Sequence, residues 1–247
     1  MSGHSKWAQI KRQKGKEDAK RGQTFTKFSN AITIAVRQGG GITDPEQNFR
    51  LRLAIEKARS VNMPKDNIER ALRRDQGKLA GEEFEEVVYE GFGPGGIAII
   101  VEAATDNKKR TTPEVKSIFE KHGGTLGAQG SVVYQFQRKG LITVKKQNHT
   151  TDDIFLLAAD AGAEDIENVG EEVLIYTKPD ELSQVKQALE GALTIVDAEL
   201  IRKPLNTVSV TDRQTARKIL SFLERLESLD DVQKVYANFD IPDTLIE

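Results

Sequence analysis

The spacing of apolar residues changes along this chain of 247 residues, and the change divides it into a helical part and a mixed part. From Thr24 to about Gly77 the apolar side chains recur every three or four residues, which is typical of helices that bury one face. After the polar, glycine-containing break at 77–81 they alternate with polar side chains, which is typical of strands, and helical spacing returns at intervals. This order predicts an α+β chain that begins with helices.

The helical part is predicted to contain three helices. The first begins at Thr24 and ends near Gly39. Its apolar stripe consists of Phe25, Phe28, Ile32, Ala35 and Val36. Asp44 is the predicted N-cap of the second helix, because a proline follows it and a glutamine stands three residues later. The third helix begins near Pro64 and ends near Gly77.

Strands are predicted in the part that follows. Three of them precede residue 140, at 86–90, 97–103 and 131–137. The first two are joined by the glycine loop 91–96. A helix over about 113–122 separates the second from the third, with Thr111 or Thr112 as its N-cap.

Residues 141–203 have the element order βαββαβ, which is the ferredoxin-like pattern. The predicted elements are a strand at 141–146, a helix at 152–161, two strands around Gly170, a helix at 181–192 and a strand at 197–203. The chain closes with a helix at 213–228 and a strand at 232–239, which are the elements that the 86–137 sheet lacks. The second sheet is therefore predicted to be inserted into the first.

The predicted organisation has one arm and three domains. The segments are a basic flexible arm at 1–23, a three-helix domain at 24–78, a middle domain made of 79–138 and 205–247, and an inserted domain at 139–204. The two later domains are predicted to be α/β sandwiches of ferredoxin-like type.

The arm is strongly basic and poor in apolar side chains. Its first 27 residues hold eight Lys or Arg and two acids, Glu17 and Asp18. Between Met1 and Phe25 the only large apolar side chains are Trp7 and Ile10, too few to offset the entropy of ordering a backbone. We expect the arm to be disordered alone and to order on a phosphate backbone, where Trp7 can stack on a base.

Positive charge extends past the arm into the helical part. Residues 1–74 hold 17 Lys and Arg against 7 Asp and Glu, whereas residues 75–247 hold 19 against 31. A solvated tail is the plainer interpretation of a short basic run, but this longer excess favours contact with nucleic acid. The residues predicted to make that contact are Lys6, Trp7, Lys11, Arg12, Lys14, Lys16, Lys20, Arg21, Lys27, Arg70, Arg73, Arg74, Lys108, Lys109 and Arg110. No helix shows a pattern that indicates base-specific readout.

Two loops are further candidates for anion binding. The glycine loop contains Gly91, Gly93, Pro94, Gly95 and Gly96, whose amides could approach a phosphate. A hairpin turn is the favoured interpretation, because the loop joins two strands instead of opening a helix. The stretch 106–110 has three cations before a predicted helix N-terminus, and there an anion site and a solvated loop are equally supported.

Several function classes are disfavoured. The chain has no cysteine, and its three histidines lack metal-ligand spacing. No serine, threonine or acid pair has a recognisable catalytic arrangement, so we predict a non-enzyme without a cofactor, metal or small-molecule substrate. No apolar run is long enough to cross a membrane, and we predict a cytoplasmic protein. The sequence shows no dimerisation signal and leaves the oligomeric state open.

Long motifs throughout the chain resemble the YebC family. The opening Gly-His-Ser-Lys-Trp-Ala-Gln-Ile-Lys at 3–11 and Tyr-Glu-Gly-Phe-Gly-Pro-Gly-Gly at 89–96 are the most specific. Further matching stretches lie at 18–22, 39–41, 62–66 and 105–111. The resemblance implies a helical N-terminal domain and two α+β domains, the last inserted in the middle one.

The resemblance also implies a function, with two alternatives. Members of the family are widely described as cytoplasmic, DNA-binding, probable transcriptional regulators. Its mitochondrial members are translational activators of a cytochrome oxidase subunit, and bacterial members have been linked to the ribosome. We therefore expect a non-enzymatic DNA-binding regulator of transcription, or alternatively a ribosome-associated translation factor that binds ribosomal RNA and tRNA.

Overall fold

The computed structural model describes residues 21–74 and 84–245, which divide into two compact units. The smaller unit is Phe136–Lys203, and the larger unit contains the other described residues. Helices and antiparallel sheets are both present, so the predicted α+β class is confirmed.

The larger unit begins with three helices, α1 (Arg21–Gln38), α2 (Phe49–Ser60) and α3 (Lys65–Arg74). They share a small core, and the predicted stripe of α1 faces it. Ile32, Ala35 and Val36 are buried there, and Phe25 and Phe28 pack against its margin. The predicted end of α3 near Gly77 lies outside the described residues.

The larger unit continues with a hairpin, a helix and a short strand. The elements are β1 (Glu85–Phe92), a 3-10 turn (Pro94–Gly96), β2 (Ala98–Thr105), α4 (Lys108–Lys121), β3 (Thr125–Leu126) and a second 3-10 turn (Val133–Gln135). β1 pairs antiparallel with both β2 and β3, so it lies between them.

The smaller unit has the predicted βαββαβ order. Its elements are β4 (Phe136–Lys145), α5 (Thr151–Asp160), β5 (Asp165–Val169), β6 (Glu172–Thr177), α6 (Leu182–Leu189) and β7 (Thr194–Pro204). The strand order is β5-β6-β4-β7, with β6 antiparallel to both β4 and β5. β6 thus splits the β4–α5–β5 unit, as in ferredoxin-like domains.

The chain then returns to the larger unit. The closing elements are β8 (Val208–Ser209), α7 (Arg213–Glu227), β9 (Val232–Ala237), β10 (Phe239–Asp240) and a 3-10 turn (Asp243–Leu245). β9 joins the sheet beside β2, giving the order β3-β1-β2-β9. α4 and α7 pack on one face of this sheet, where the rings of Phe119 and Phe222 meet edge to face at 5.0 Å. The last long strand of the chain therefore lies in one sheet with the β1–β2 hairpin.

The opposite face of this sheet is covered by α1 and by the loop at 127–135. α1 contacts β2 and β9, and its Gln38 amide donates to both carboxylate oxygens of Glu86 on β1 at 2.7 and 2.9 Å. Ile100 on β2 and Tyr236 on β9, which pair across the sheet, are almost completely buried on this face.

The predicted N-cap of the second helix, Asp44, is wrong. Asn48 caps α2 by accepting from the Leu51 amide at 3.1 Å, and its own amide donates to the Ala35 carbonyl at 2.8 Å. Asp44 instead accepts from the Glu46 amide at 3.0 Å and closes a turn before the helix. Asn48 is the better cap, because its side chain satisfies a free amide at the start of α2 and also bonds a carbonyl of α1.

α4 begins five residues before the predicted start at 113. Asn107 is its N-cap and accepts from the Arg110 amide at 3.2 Å. The Thr111 hydroxyl donates to the Asp231 carboxylate, and Thr112 bonds the Tyr89 hydroxyl, so neither caps the helix. The three cations of 108–110 consequently form the first turn of a helix instead of a loop.

The strand predicted at 131–137 is wrong over most of its length. Residues 133–135 form a 3-10 turn, and the strand β4 begins at Phe136. The amides of Val132 and Val133 donate to the Glu90 carboxylate at 2.9 and 2.8 Å, so they are not available to a strand ladder.

Candidate nucleic-acid interface

One end of the larger unit's sheet brings together cations that are distant in sequence. Glu85, the first residue of β1, pairs with Thr105, the last residue of β2. Phe84 precedes β1 at this end, and the Arg74 guanidinium carbon lies 4.9 Å from its ring centroid. α4 starts only three residues after Thr105. The C-terminus of α3 and the N-terminus of α4 therefore lie at the same end of the sheet.

We call this region the cationic end and define it by Arg70, Arg73, Arg74, Lys108 and Lys109. The three arginines follow helical spacing, so they occupy one side of α3. Arg73 and Arg74 lie in its last turn, which is electrostatically favourable, because the carbonyl end of a helix carries partial negative charge.

The arginines of α3 differ in the ion pairs and hydrogen bonds that they make within the protein. The Arg73 side chain is 77% exposed and makes an ion pair of 3.5 Å with Glu69 one turn earlier. Arg74 donates to the Asn30 amide oxygen at 3.3 Å and lies over the Phe84 ring. The Arg70 guanidinium is exposed and has no ion pair or hydrogen bond within the described parts of the chain. Arg70 and Arg73 are accordingly the most available of the three for an external anion.

The first turn of α4 contains two exposed lysines and one engaged arginine. Arg110 donates to Asp231 at 2.9 and 3.1 Å and to Asp106 at 3.1 Å. These contacts, the bond to Asp231 above all, raise the pKa of Arg110. Lys108 and Lys109 are exposed and make no ion pair within 21–74 and 84–245. Since a helix N-terminus already carries partial positive charge, these lysines add to a positive potential at this point.

Asp231 is the centre of the polar cluster that fixes this turn. Besides Arg110, its carboxylate accepts from the hydroxyls of Thr105 and Thr111 at 3.0 and 2.5 Å. Burial alone would raise the pKa of Asp231, but hydrogen bonds from Arg110, Thr111 and Thr105 outweigh burial and lower the pKa. The cluster joins the end of β2, the start of α4 and the residue before β9.

The other predicted contacts in the helical part are partly engaged within the protein. The Lys27 ammonium donates to the Glu227 carbonyl at the end of α7. Arg37, one of the 17 basic residues of the stretch 1–74, donates to the Phe84 carbonyl. These two cations tie α1 to the end of α7 and to the residue before β1. Arg21 is the first described residue of α1, and the predicted contacts from Lys6 to Lys20 lie outside the described residues.

The glycine loop lies at the opposite end of the β1–β2 hairpin. Phe92 pairs with Ala98 there, about 24 Å from Glu85 along a strand that rises about 3.4 Å per residue. The amides of Gly93 and Gly96 donate within the turn, to Ile97 and Gly93 carbonyls at 2.8 and 3.1 Å. The structure therefore does not bring this loop together with the cationic end, and two of its amides are used internally.

Close packing explains the composition of this turn. A Cβ on Gly93 would lie 2.8 Å from a ring carbon of Phe222, and Gly95 and Gly96 have φ values of 73° and 75°. Pro94 is buried. These features favour the hairpin interpretation over a phosphate cradle.

The described residues contain no group of three or more His, Cys, Asp or Glu side chains that could hold a metal ion. Among the same residues, no helix is both long and apolar enough to cross a membrane. The polar clusters around Asp231 and Glu90 are satisfied by internal hydrogen bonds.

Family models match most of the chain. The model described as the TACO1/YebC protein N-terminal domain matches residues 5–78, and the model described as the TACO1/YebC second and third domain matches residues 84–239. The chain belongs to the TACO1/YebC family.

Curated relatives of the family span the whole chain. Proteins named probable transcriptional regulatory protein from Sulfurihydrogenibium sp. and Persephonella marina are each 53% identical over 249 aligned residues, which cover 100% of this chain and 98% and 99% of theirs. The correspondingly named protein of Aquifex aeolicus is 50% identical, with coverage of 100% and 99%. The crystal structure of a conserved hypothetical protein from Aquifex aeolicus has a TM-score of 0.84 and 48% identity, covering 92% of this chain and 93% of that chain.

The cationic end draws on both family domains. Arg70, Arg73 and Arg74 lie within the TACO1/YebC N-terminal domain, whereas Lys108 and Lys109 lie within the second match. Sequence reasoning selected these five residues but missed Asp231, which orients the first turn of α4. Its only sequence signal is an acid just before an apolar strand, and that signal is common to many surface positions.

Proposed function

We propose that this TACO1/YebC family member is a nucleic-acid-binding regulator of gene expression that acts without catalysis. The arm at 1–23 and the cationic end hold phosphate groups. The observation that carries the proposal is the exposure of Arg70, Arg73, Lys108 and Lys109 at one end of the sheet. The names of the curated relatives support a regulatory role, and the process that they name is transcription.

Phosphate contact gives affinity that depends on salt but carries no sequence information by itself. We propose that the protein binds DNA in the cytoplasm through such phosphate contacts. The arm and the three domains predicted from the sequence are the modules of this binding. If about six phosphates are neutralised on a duplex, the logarithm of the binding constant falls with the logarithm of salt with a slope of about −5.

One observation favours ribosomal RNA and tRNA on the ribosome as a second candidate target. The smaller unit, Phe136–Lys203, holds 13 acidic and 8 basic side chains. An acidic domain is repelled by a bare duplex, whereas a ribosome offers basic proteins beside its RNA.

A competition experiment separates the two targets. The full chain and a chain without residues 1–22 are partitioned between ribosomes and an excess of genomic duplex DNA at near-physiological salt. Retention on a few DNA fragments supports the transcriptional function. Retention on ribosomes that is lost with the arm supports the translational function, and retention on neither overturns both.

A double variant and a single-site control connect the result to the cationic end. Lys108→Ala combined with Lys109→Ala should weaken binding to whichever target retains the chain. Lys116→Ala is the matched control, because Lys116 lies on the same helix, is 60% exposed and pairs only with Glu120 among the described residues. Equal losses in the two variants would contradict a specific role for the first turn of α4.

A further inference from the structure

Helix α5 of the smaller unit exposes two adjacent large apolar side chains. Phe155 is 53% exposed and Leu156 is 62% exposed, whereas Ile154 and Ala158 of the same helix are completely buried. Among the described residues, these are the only consecutive pair of exposed large apolar side chains. Ile154 and Ala158 anchor the helix to its domain, whereas Phe155 and Leu156 each leave more than half of their surface exposed.

Acidic residues flank this pair on the same face. Asp152 stands three and four residues before Phe155 and Leu156, and Asp160 stands four residues after Leu156, so helical spacing places them at the two ends of the apolar patch. Both aspartates are exposed. The ten residues of α5 include three aspartates and no lysine or arginine.

The surrounding domain reinforces the negative charge. Phe136–Lys203 holds 13 acidic and 8 basic side chains, and at least four of the basic ones are paired with acids of the same unit: Lys139, Lys178, Lys186 and Lys203. Nucleic acid and anionic membranes are therefore repelled by this surface. A second copy of the helix in an antiparallel pair would set Asp152 against Asp160, so self-association through it is also disfavoured.

We propose that this face of α5, defined by Asp152, Phe155, Leu156 and Asp160, docks a protein segment that is rich in lysine and arginine and also carries apolar side chains. The apolar side chains of the partner bury Phe155 and Leu156, and its cations meet the aspartates at the rim. This inference goes beyond the proposed function and is independent of it, because the face contains none of the residues of the cationic end.

The test uses the full chain labelled with ¹⁵N and a synthetic helical peptide of about 18 residues, with leucine on one face and lysine on the other. A peptide with glutamate in place of lysine is the control. We expect the lysine peptide to shift the amide resonances of residues 151–160. Phe155→Ser combined with Leu156→Ser should weaken binding at least ten-fold, whereas Val196→Ser, at a 41% exposed position on β7, should change it less than two-fold.

A charge variant keeps the test independent of the apolar change. Asp152→Asn combined with Asp160→Lys should abolish the preference for the lysine peptide over the glutamate peptide. Lysine at position 160 suits the C-terminus of a helix, so this variant should fold. Thermal melting of each variant checks that α5 is intact.

Three results would overturn the proposal. The first is shifts that lie outside residues 151–160, and the second is binding that neither double variant alters. The third concerns the chain's own basic arm. If a chain without residues 1–20 binds the lysine peptide at least ten-fold more tightly than the full chain, the arm is the occupant of this face rather than another protein.

Discussion

Arg110 and Asp231 lie 121 residues apart in the sequence and meet in two hydrogen bonds of 2.9 and 3.1 Å. The pair ties the first turn of α4 to the residue before β9. This attachment determines which cations of 108–110 remain available. Arg110 is held by Asp231 although its side chain is 48% exposed, and Lys108 and Lys109 are left without such a partner among the described residues.

Asp231→Asn should destabilise the fold by about 2 kcal/mol, because the Arg110 guanidinium and two threonine hydroxyls lose a charged acceptor. Urea denaturation measures the change in the free energy of unfolding. The matched control is Asp230→Asn, at the preceding, exposed position. Equal effects of the two substitutions would show that the cluster contributes nothing specific.

The lowered pKa of Asp231 predicts how the stability of the protein changes with pH. The pKa of Asp231 in the folded protein lies below its ordinary value of 3.8. Its contribution to stability is therefore fully present above that value and is lost as the pH falls through the folded pKa. The difference in unfolding free energy between the natural chain and Asp231→Asn should be constant from pH 7 to 5 and shrink below about pH 4. A difference that persists unchanged at pH 2 would contradict this assignment.

Glu90 organises the loop at 127–135 from inside the protein. The residue is 3% exposed. Its carboxylate accepts hydrogen bonds from the amides of Gly130, Val132 and Val133 at 2.8 to 2.9 Å. Glu90→Gln would set an amide donor against these amides, so we expect a loss of about 2 to 3 kcal/mol. Hydrogen exchange of the three amides should accelerate. Glu85→Gln, at an exposed position on the same strand, should leave both measurements unchanged.

Gly91 is required by close approach rather than by its backbone angle. A Cβ there would lie 2.4 Å from the Thr125 carbonyl oxygen and 2.7 Å from a ring carbon of Phe119. Gly91→Ala should therefore separate β3 from β1 and cost about 2 to 3 kcal/mol. At Gly40 a Cβ meets nothing within 4 Å, and only its φ of 69° opposes a side chain, so Gly40→Ala should cost about 1 kcal/mol. Thermal denaturation of the two variants compares the costs.

The sequence predicted elements well where one periodic signal decided the outcome. The α1 stripe and the βαββαβ order of 141–203 are examples, since burial of one face leaves a regular pattern. It failed where a distant side chain competed for a backbone group. Asn48 caps α2 and also donates to the Ala35 carbonyl. The amides of Val132 and Val133 bond the Glu90 carboxylate instead of a neighbouring strand.

The candidate site was predictable in its residue types but not in its geometry. Clustered arginines and lysines indicated phosphate contact at 70–74 and 108–110. Their common position follows from the pairing of Glu85 with Thr105, and the engagement of Arg110 follows from its hydrogen bonds to Asp231. Neither relationship leaves a local pattern, because each joins segments that are separate in the sequence.

The cationic end makes a quantitative prediction for nucleic-acid binding. Arg70→Ala combined with Arg73→Ala should weaken binding to all sequences equally and reduce the salt slope by about 2, since each phosphate contact contributes about 0.9 on duplex DNA. Fluorescence anisotropy with two unrelated duplexes, measured over a series of salt concentrations, provides both values. Lys116→Ala should leave the slope unchanged. A loss confined to one duplex would instead place Arg70 or Arg73 in contact with base edges, and an unchanged slope would remove α3 from the interface.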